Sequence, residues 1–270
     1  MTNREIAEMS YSNPAAYERF MGRWSARLTP PFVRFAGVED GQHVLDVGCG
    51  TGILSRALVS HGNTIRVKGI DPVLAYVSFA REAMPDSRAH FEVGTAETLP
   101  FPDGTFDAAL ALLVLQDFTD PAHAVSEMRR VTRPGGVVGT CQWNFRDGLP
   151  MLSIFWQAAE AVAPDAVARH RNLNPSLRCA TPHDLQVLWR NCGLSDIETT
   201  TFETSMQFSS FDDFWEPFLG KATPSSVFAA VVNMETDGAL ATVLRNKLPS
   251  DQPDGSFVLP ARALAVKGTA

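Results

Sequence analysis

The chain has 270 residues, of which 45% are hydrophobic and 20% are charged, and its formal net charge is −7. This composition can supply a buried core, which excludes a wholly disordered chain. Acidic residues outnumber basic ones by 30 to 23. Because nucleic-acid binding depends on neutralising phosphates with Lys and Arg, we expect no nucleic-acid partner. A small, neutral or weakly polar molecule fits the charge better.

The amino terminus and the apolar runs predict where the protein works. Charged Arg4, Glu5 and Glu8 interrupt the first eleven residues, so a secretory signal is not expected there. The longest apolar run, Ala108 to Leu115, is too short to cross a bilayer. We therefore expect a cytoplasmic protein with no membrane span.

Four cysteines are spread along the chain without a C-x-x-C pair and without a histidine at zinc-ligand spacing; they are Cys49, Cys141, Cys179 and Cys192. The pattern predicts reduced thiols and no metal site.

Hydrophobic periodicity predicts an amino-terminal helical segment followed by alternating strands and helices. Apolar residues between Pro14 and Leu28 share one helical face, and Pro30 and Pro31 are expected to end that helix or to open the next, which runs to about Ala36. The predicted strands are His43–Val47, Ile65–Ile70, His90–Val93, Phe106–Leu112, Gly136–Gln142, Ile197–Thr204 and Ser256–Lys267.

This alternation predicts an α/β fold, with a seven-stranded, mostly parallel, doubly wound sheet and inserted helical caps. The expected division is a helical cap over residues 1–40, a ligand-binding core over 41–145, a helical insertion over 146–180, and the end of the core over 181–270. A second helical insertion is expected at about 205–250.

A glycine-rich turn, Gly48 to Gly52, follows the first predicted strand. Glycines at such a turn let a ligand approach the backbone at the carboxyl edge of the sheet. The dinucleotide fingerprint G-x-G-x-x-G would require glycine where the chain has Ile53, and the Gly-Lys-Ser/Thr of a phosphate-binding loop is also missing. A nicotinamide-dependent oxidoreductase is therefore a less favoured reading.

With Asp46 two residues before the first glycine of G-x-G-x-G, the turn resembles motif I of the class I S-adenosylmethionine-dependent methyltransferases. Further segments resemble the later motifs of that family in order, over roughly residues 42–141; they are Gly69–Pro72, Gly94–Phe101, Phe106–Gln116 and Arg130–Gly136. The chain is most similar to the small-molecule enzymes related to the C-methylases of ubiquinone and menaquinone biosynthesis, the methyltransferase type 11 group.

The resemblance implies a Rossmann-like fold and S-adenosyl-L-methionine as cofactor, with S-adenosyl-L-homocysteine as product. It implies methyl transfer to a small-molecule acceptor by in-line displacement; the alternative is a non-catalytic protein that binds the same cofactor. The cofactor-binding residues that it implies are Asp46, Gly48, Cys49, Gly50, Gly52, Asp71, Pro72, Thr95, Ala96, Glu97, Leu112 and Leu113. The methylated atom and the oligomeric state stay open.

Two positions depart from the family pattern. Thr95 stands where an aspartate often accepts from the adenine amine, and Gln116 stands where a histidine often follows the fourth strand. The candidate catalytic residues are Gln116, His170 and Tyr17.

Several candidate residues also have structural readings. Asp71 could be the N-cap of the helix that follows it, and Asp46 could cap the glycine turn. The aromatic-rich segment from Phe208 to Leu219 could line an apolar substrate pocket or form the core of a cap.

Overall fold

The structure is a computed structural model that describes residues 13–171, 179–219, 237–249 and 252–270. The chain divides into two compact units. The sheet unit comprises residues 25–144, 176–202 and 263–270, and the aromatic unit comprises residues 1–24, 145–175 and 203–262. The domain boundaries expected from the sequence, at 40, 145 and 180, remain predictions.

The described helices are α1 (Pro14–Tyr17), α2 (Arg23–Ala36), α3 (Ile53–His61), α4 (Leu74–Ala83), α5 (Pro121–Val131), α6 (Pro150–Val162), α7 (Pro164–Arg171), α8 (Pro182–Asn191), α9 (Phe211–Leu219) and α10 (Asp237–Lys247). A π-helical turn, Glu18–Gly22, joins α1 to α2, and a 3₁₀ turn covers Leu115–Asp117. The strands are β1 (His43–Val47), β2 (Arg66–Asp71), β3 (Ala89–Val93), β4 (Phe106–Leu112), β5 (Thr132–Trp143), β6 (Ser195–Phe208) and β7 (Phe257–Thr269).

The seven strands form one sheet in the order β3-β2-β1-β4-β5-β7-β6. Strands β1 to β5 pair in parallel, and β7 runs antiparallel to β5. The predicted seven-stranded, mostly parallel α/β sheet is therefore confirmed. The chain leaves β1 toward β2 on one side and β4 toward β5 on the other, so the loops after β1 and β4 diverge at the carboxyl edge. Open α/β sheets bind their ligands at such a switch point.

Strands β1 and β4 are central because their side chains are apolar on both faces. Six of the seven residues of Phe106–Leu112 are buried, and so are four of the five residues of His43–Val47. A parallel sheet covered by helices on both sides requires such continuous apolar runs. The main core cluster of this unit includes Leu45, Ala109 and Trp189, all fully buried.

The expected break at Pro30 and Pro31 does not occur, because both prolines lie inside α2. A proline cannot donate to the carbonyl four residues before it, so Pro30 frees the carbonyl of Ala26. The Thr29 hydroxyl donates to that carbonyl at 2.9 Å. This side-chain bond compensates for the missing backbone donor, and the helix continues to Ala36.

The start of α8 agrees with the sequence pattern. Thr181 is the N-cap, and it forms a reciprocal capping box with Asp184. Strand β5, in contrast, begins four residues earlier than predicted. The pairing of β4 with β5 shifts between Phe106 and Ala108, and this irregularity accommodates the Pro-Gly-Gly segment within the strand.

The aromatic unit is held together by ring-to-ring contacts. Phe155 stacks on Phe218 with ring centroids 4.6 Å apart, and Phe208 meets Phe214 edge to face at 5.3 Å. All four rings are buried. These contacts favour the reading in which the segment from Phe208 to Leu219 forms the core of this unit.

The described ranges contain neither a membrane-spanning helix nor a cluster of metal ligands. No helix there has both the length and the apolar character needed to cross a membrane. Nor do three or more His, Cys, Asp or Glu residues come together in an arrangement that could hold a metal ion.

Candidate functional site

The glycine turn after β1 stands at the switch point of the sheet, and two of its glycines have different reasons to be glycine. A Cβ on Gly48 would lie 2.7 Å from the Val114 side chain, and the backbone of Gly48 has a positive φ of 69°. Gly50 also has a positive φ, of 51°, but a Cβ there would meet only Tyr76, at 3.9 Å. Gly48 is thus fixed by packing, whereas Gly50 leaves open space in which a ligand can approach the backbone.

Asp71, the last residue of β2, ties the glycine turn to the second strand. Its Oδ2 accepts the N–H of Gly50 at 2.9 Å, and its Oδ1 accepts the N–H of Val73 at 2.9 Å. Burial raises the pKa of Asp71 to about 6, although both N–H bonds act in the opposite direction. Because the N-cap of α4 is Val73, the reading of Asp71 as the N-cap of that helix is wrong. Its carboxylate holds the turn.

Asp46 lies inside β1 with 1% of its surface exposed. Its Oδ2 accepts both the hydroxyl of Ser55 at 2.6 Å and the N–H of Ser55 at 3.0 Å. Burial raises the pKa of Asp46 to about 7; the bonds from Ser55 lower this pKa, and the neighbouring charge of Asp71 raises it. The expectation that Asp46 caps the glycine turn is therefore wrong, because its partner is the first turn of α3. Its Oδ1 accepts no hydrogen bond from the described residues.

Three residues of the loop after β3 were candidates for cofactor contact, and the structure separates them. Thr95 is exposed, and Ala96 is buried in the core cluster. Glu97 accepts the N–H of Thr119 at 2.9 Å, so its carboxylate braces the loop that follows β4. Of the three side chains, that of Thr95 remains the most accessible to a ligand.

Two exposed apolar side chains near Asp71 were missed by sequence reasoning. Leu74 is 62% exposed and Val93 is 44% exposed, and Val93 pairs with Asp71 in the register of β2 and β3. Large exposed apolar groups beside polar ones commonly mark a binding surface. The available signal was that Leu74 lies two residues after Pro72, which is itself exposed, at the start of the helix that follows Asp71.

The Cys49 thiol lies within the glycine turn and is 6% exposed. Desolvation, together with the charges of Asp46 and Asp71, raises its pKa well above the ordinary value, so the thiol stays protonated. The backbone of Cys49 donates to the carbonyl of Ile70 at 3.0 Å. Its contribution to the turn is therefore made by its backbone.

The end of β4 carries a residue in an unusual conformation. Leu112 and Leu113 are both 8% exposed, and Leu113 has a φ of +62°, which is uncommon for a residue with a branched side chain. The Leu113 N–H donates to the carbonyl of Cys141 at 2.7 Å. The Gln116 Nε2 donates to the carbonyl of Leu113 at 2.7 Å. Gln116, a candidate catalytic residue, thus holds the turn that leaves β4.

The other two catalytic candidates belong to the aromatic unit. Tyr17 is half-buried at the end of α1. His170 lies in α7, and its side chain is outside the described residues. Of the three candidates, Gln116 alone belongs to the sheet unit.

Comparison with known proteins identifies the family. A model described as a methyltransferase domain matches residues 45–139. A malonyl-[acyl-carrier protein] O-methyltransferase of Serratia marcescens is 30% identical over 194 residues, which are 67% of this chain and 71% of that protein. The chain belongs to the S-adenosylmethionine-dependent methyltransferases. The family resemblance found in the sequence is confirmed, and so is the cofactor that it implies.

Further matches place this methyltransferase among similar proteins. A demethylmenaquinone methyltransferase of Renibacterium salmoninarum is 32% identical over 140 residues, 52% of this chain and 57% of that protein. The chain spans little more than half the length of several curated relatives that it matches. A solved phosphoethanolamine N-methyltransferase 2 of Haemonchus contortus, in complex with S-adenosyl-L-methionine, shares the fold, with a TM-score of 0.62 at 17% identity over 100% of this chain and 60% of that one.

Proposed function

We propose that this methyltransferase transfers the methyl group of S-adenosyl-L-methionine to a small-molecule acceptor. The observation that carries the proposal is the arrangement at the switch point, where Asp71 fixes the open backbone of Gly50 and one carboxylate oxygen of Asp46 accepts no hydrogen bond from the described residues. The cofactor carries a sulfonium cation, an ammonium group, two ribose hydroxyls and a flat adenine ring. The residues at the switch point fit the ammonium group, the ribose hydroxyls and the adenine ring.

The two carboxylates are suited to the polar parts of the cofactor. Each oxygen of Asp71 accepts one N–H, and a carboxylate oxygen has a second lone pair that can accept a ribose hydroxyl. Asp46 Oδ1 is available to an ammonium group. A cation also offsets the cost of keeping Asp46 ionised in a buried position.

The adenine ring has apolar and polar partners at the next edge of the sheet. Leu74 and Val93 offer exposed apolar surface beside Asp71, and the exposed Thr95 hydroxyl can accept from the adenine amine. These assignments retain the cofactor residues expected from the sequence and add Leu74 and Val93 to them.

When bound, the cofactor supplies a methyl group already activated by its positive sulfur. The residues of the chain then have to align the acceptor lone pair with the methyl carbon and to exclude water. A base is needed only where the acceptor loses a proton on methylation. The absence of a histidine at position 116 is therefore compatible with activity.

Two observations support a small acceptor. The net charge of −7 disfavours a phosphate-backbone substrate. The printed name of the Renibacterium relative, demethylmenaquinone methyltransferase, is that of an enzyme acting on a small molecule.

The test is calorimetry with S-adenosyl-L-homocysteine, followed by transfer of labelled methyl groups to a panel of quinols, phenols, amines, thiols and carboxylic acids. We expect micromolar binding and labelling of at least one class. The absence of heat and of a thermal shift with either cofactor form overturns the proposal. Cofactor binding without transfer to any class favours a non-catalytic binding protein, and a thermal shift with NAD favours an oxidoreductase.

A further inference from the structure

Two glutamine side chains at the ends of β4 and β5 each have a buried oxygen that has no hydrogen-bond partner among the described residues. Gln142, the penultimate residue of strand β5, is 2% exposed. Gln116 lies in the 3₁₀ turn that follows β4. The Oε1 atoms of both residues are buried, and no described residue donates to either.

The hydrogen bonds of the two amide nitrogens fix which end of each side chain is unpaired. Gln142 Nε2 donates to the carbonyl of Cys179 at 2.6 Å. Gln116 Nε2 donates to the carbonyl of Leu113 at 2.7 Å and to Asp117 Oδ2 at 2.9 Å. All three partners can only accept, so exchanging O and N in either amide would place two acceptors against each other. The unpaired atoms are therefore carbonyl oxygens.

One backbone contact brings the two glutamines to neighbouring positions. Leu112 pairs with Cys141 in the register of β4 and β5, and the Leu113 N–H donates to the Cys141 carbonyl at 2.7 Å. Gln142 directly follows Cys141, and Gln116 holds the carbonyl of Leu113. Leu113 itself has a positive φ of 62°. A non-glycine residue in this region costs free energy, and such residues concentrate at ligand-binding positions.

Unpaired buried acceptors also have a cost. A buried polar group without a partner destabilises a protein, and native structures contain few such groups. A hydroxyl or amine supplied by a bound molecule removes that cost at both oxygens.

We propose that Gln116 and Gln142 form a hydrogen-bond acceptor site that recognises a hydroxyl or an amine of the methyl acceptor. This inference rests on the proposed function and adds the chemical class of the substrate. Carboxylate and phosphate groups are disfavoured, because two carbonyl oxygens and the adjoining carboxylate of Asp117 would repel an anion. The acceptor of this enzyme is thus a phenol, alcohol or amine, and its class differs from that of a free carboxylic acid.

The test compares small probes that differ only in their hydrogen-bond donor. Phenol, catechol and aniline are titrated against the protein saturated with S-adenosyl-L-homocysteine, beside anisole, veratrole, N,N-dimethylaniline and benzoate. Binding is measured by ligand-observed NMR. The same titrations are made on Gln142→Met and Gln116→Met, which keep the side-chain length but remove the oxygen.

Gln186→Met is the matched control, because the amide nitrogen of Gln186 in α8 donates to the Thr199 hydroxyl in β6 and its oxygen is not among the unpaired buried atoms of the described residues. We expect at least one donor probe to bind the wild type more tightly than its blocked partner. We expect that preference to fall about tenfold in both site variants and to persist in the control.

Three results overturn the inference. The first is that no donor probe binds better than its methylated partner. The second is that the preference survives both substitutions, and the third is that benzoate binds in a manner that depends on the glutamines. S-adenosyl-L-homocysteine affinity, measured on the same samples, separates this failure from failure of the proposed function, since a protein that does not bind the product fails the latter. The comparison of donor probes with their methylated partners is repeated on the wild type without S-adenosyl-L-homocysteine. Because it needs no variant, its result does not depend on whether the variants fold.

Discussion

The carboxyl edge of the sheet has two chemically different halves. At β1 and β2, buried carboxylates are held by hydrogen bonds from the turn and helix that follow, as Asp71 is held by Gly50 and Val73. At β4 and β5, the amide nitrogens of two glutamines donate to the protein, while their oxygens accept no hydrogen bond from any described residue. In the first half, hydrogen bonds within the chain hold the carboxylates in place. In the second half, the methyl acceptor is proposed to supply the missing hydrogen bonds. Changes in the first half should weaken cofactor binding, and changes in the second should alter the choice of acceptor.

The largest effect on cofactor affinity is expected from Asp71→Ala, a substitution in the β1 and β2 half of the edge. The substitution removes the acceptor for two backbone N–H groups and any acceptor for the ribose. Hydrogen bonds to a charged group contribute about 1.5–3 kcal/mol each, so we expect affinity for S-adenosyl-L-homocysteine to fall about a hundredfold or more. Calorimetry with S-adenosyl-L-homocysteine measures this loss of affinity.

A matched control for this variant is Asp120→Ala. The Asp120 carboxylate also accepts two backbone N–H groups, those of Ala122 and His123, at the exposed start of α5. Its loss should lower the free energy of unfolding by about 1 kcal/mol without affecting cofactor affinity. Equal losses of affinity in the two variants would mean that Asp71 acts only through stability.

The next effect separates backbone strain from ligand contact within the glycine turn. Gly50→Ala and Gly135→Ala both place a side chain at a positive φ, of 51° and 77°, and neither new Cβ meets protein atoms closer than 3.9 Å. Both variants should lose about 1–2 kcal/mol of stability from strain alone. Only the first puts a methyl group where the cofactor is proposed to approach the backbone, so only the first should lose about tenfold or more in affinity.

Thermal unfolding measures the shared loss of stability and calorimetry measures the affinity. Should Gly50→Ala bind S-adenosyl-L-homocysteine as tightly as Gly135→Ala does, the ligand does not approach this turn.

The pKa values of Asp46 and Asp71 predict that stability and cofactor affinity depend on pH in opposite directions. Burial raises the pKa of Asp46 to about 7 and that of Asp71 to about 6, whereas an unfolded aspartate has a pKa of about 3.9. Between these values the folded protein binds more protons than the unfolded chain. The stability that these two carboxyls contribute without ligand should therefore fall as the pH rises from about 4 to 7, and then level off.

Cofactor affinity should change in the other direction. The positive charges of S-adenosyl-L-methionine favour ionised carboxylates, so its affinity should rise about tenfold or more between pH 5.5 and 7.5. Denaturation measures stability against pH, and calorimetry measures S-adenosyl-L-methionine affinity against pH. Because Asp46 has the higher of the two pKa values, Asp46→Asn should flatten both curves at the high-pH end of this range. An affinity that declines with rising pH alongside the stability would contradict this assignment of charge.

The features that could be predicted from the sequence are those determined by residues adjacent in the chain. Strands His43–Val47 and Phe106–Leu112 have the predicted bounds, because each is a short apolar run ended by a glycine turn or by a change of chain direction. Asp71 and Gly50 could be predicted as site residues because they belong to contiguous motifs at the ends of consecutive strands. These features depend on neighbours in the chain.

Features that depend on distant segments were missed. The bond between Asp46 and Ser55 requires the first turn of α3 to lie over β1. The orientation of the Gln142 amide is fixed by a hydrogen bond from its nitrogen to the carbonyl of Cys179, 37 residues away. In the sequence Gln142 is one polar residue at the end of a predicted strand, and nothing local shows which of its atoms has a partner.

The smallest effect is expected where one hydrogen bond tunes one carboxylate. Ser55→Ala removes the 2.6 Å hydroxyl bond to Asp46 Oδ2 and keeps the backbone bond at 3.0 Å. The lost bond favours the ionised form, so the pKa of Asp46 should rise by up to about one unit, and the midpoint of the affinity curve should move to higher pH by the same amount. At pH 8.5, where Asp46 stays largely ionised, affinity should change by no more than about twofold. Ser126→Ala is the control, because that hydroxyl donates to the Ala122 carbonyl in α5 of the same unit. Carboxyl carbon NMR of Asp46 measures the shift directly, and an unchanged midpoint would show that the Ser55 hydroxyl does not stabilise the ionised carboxylate.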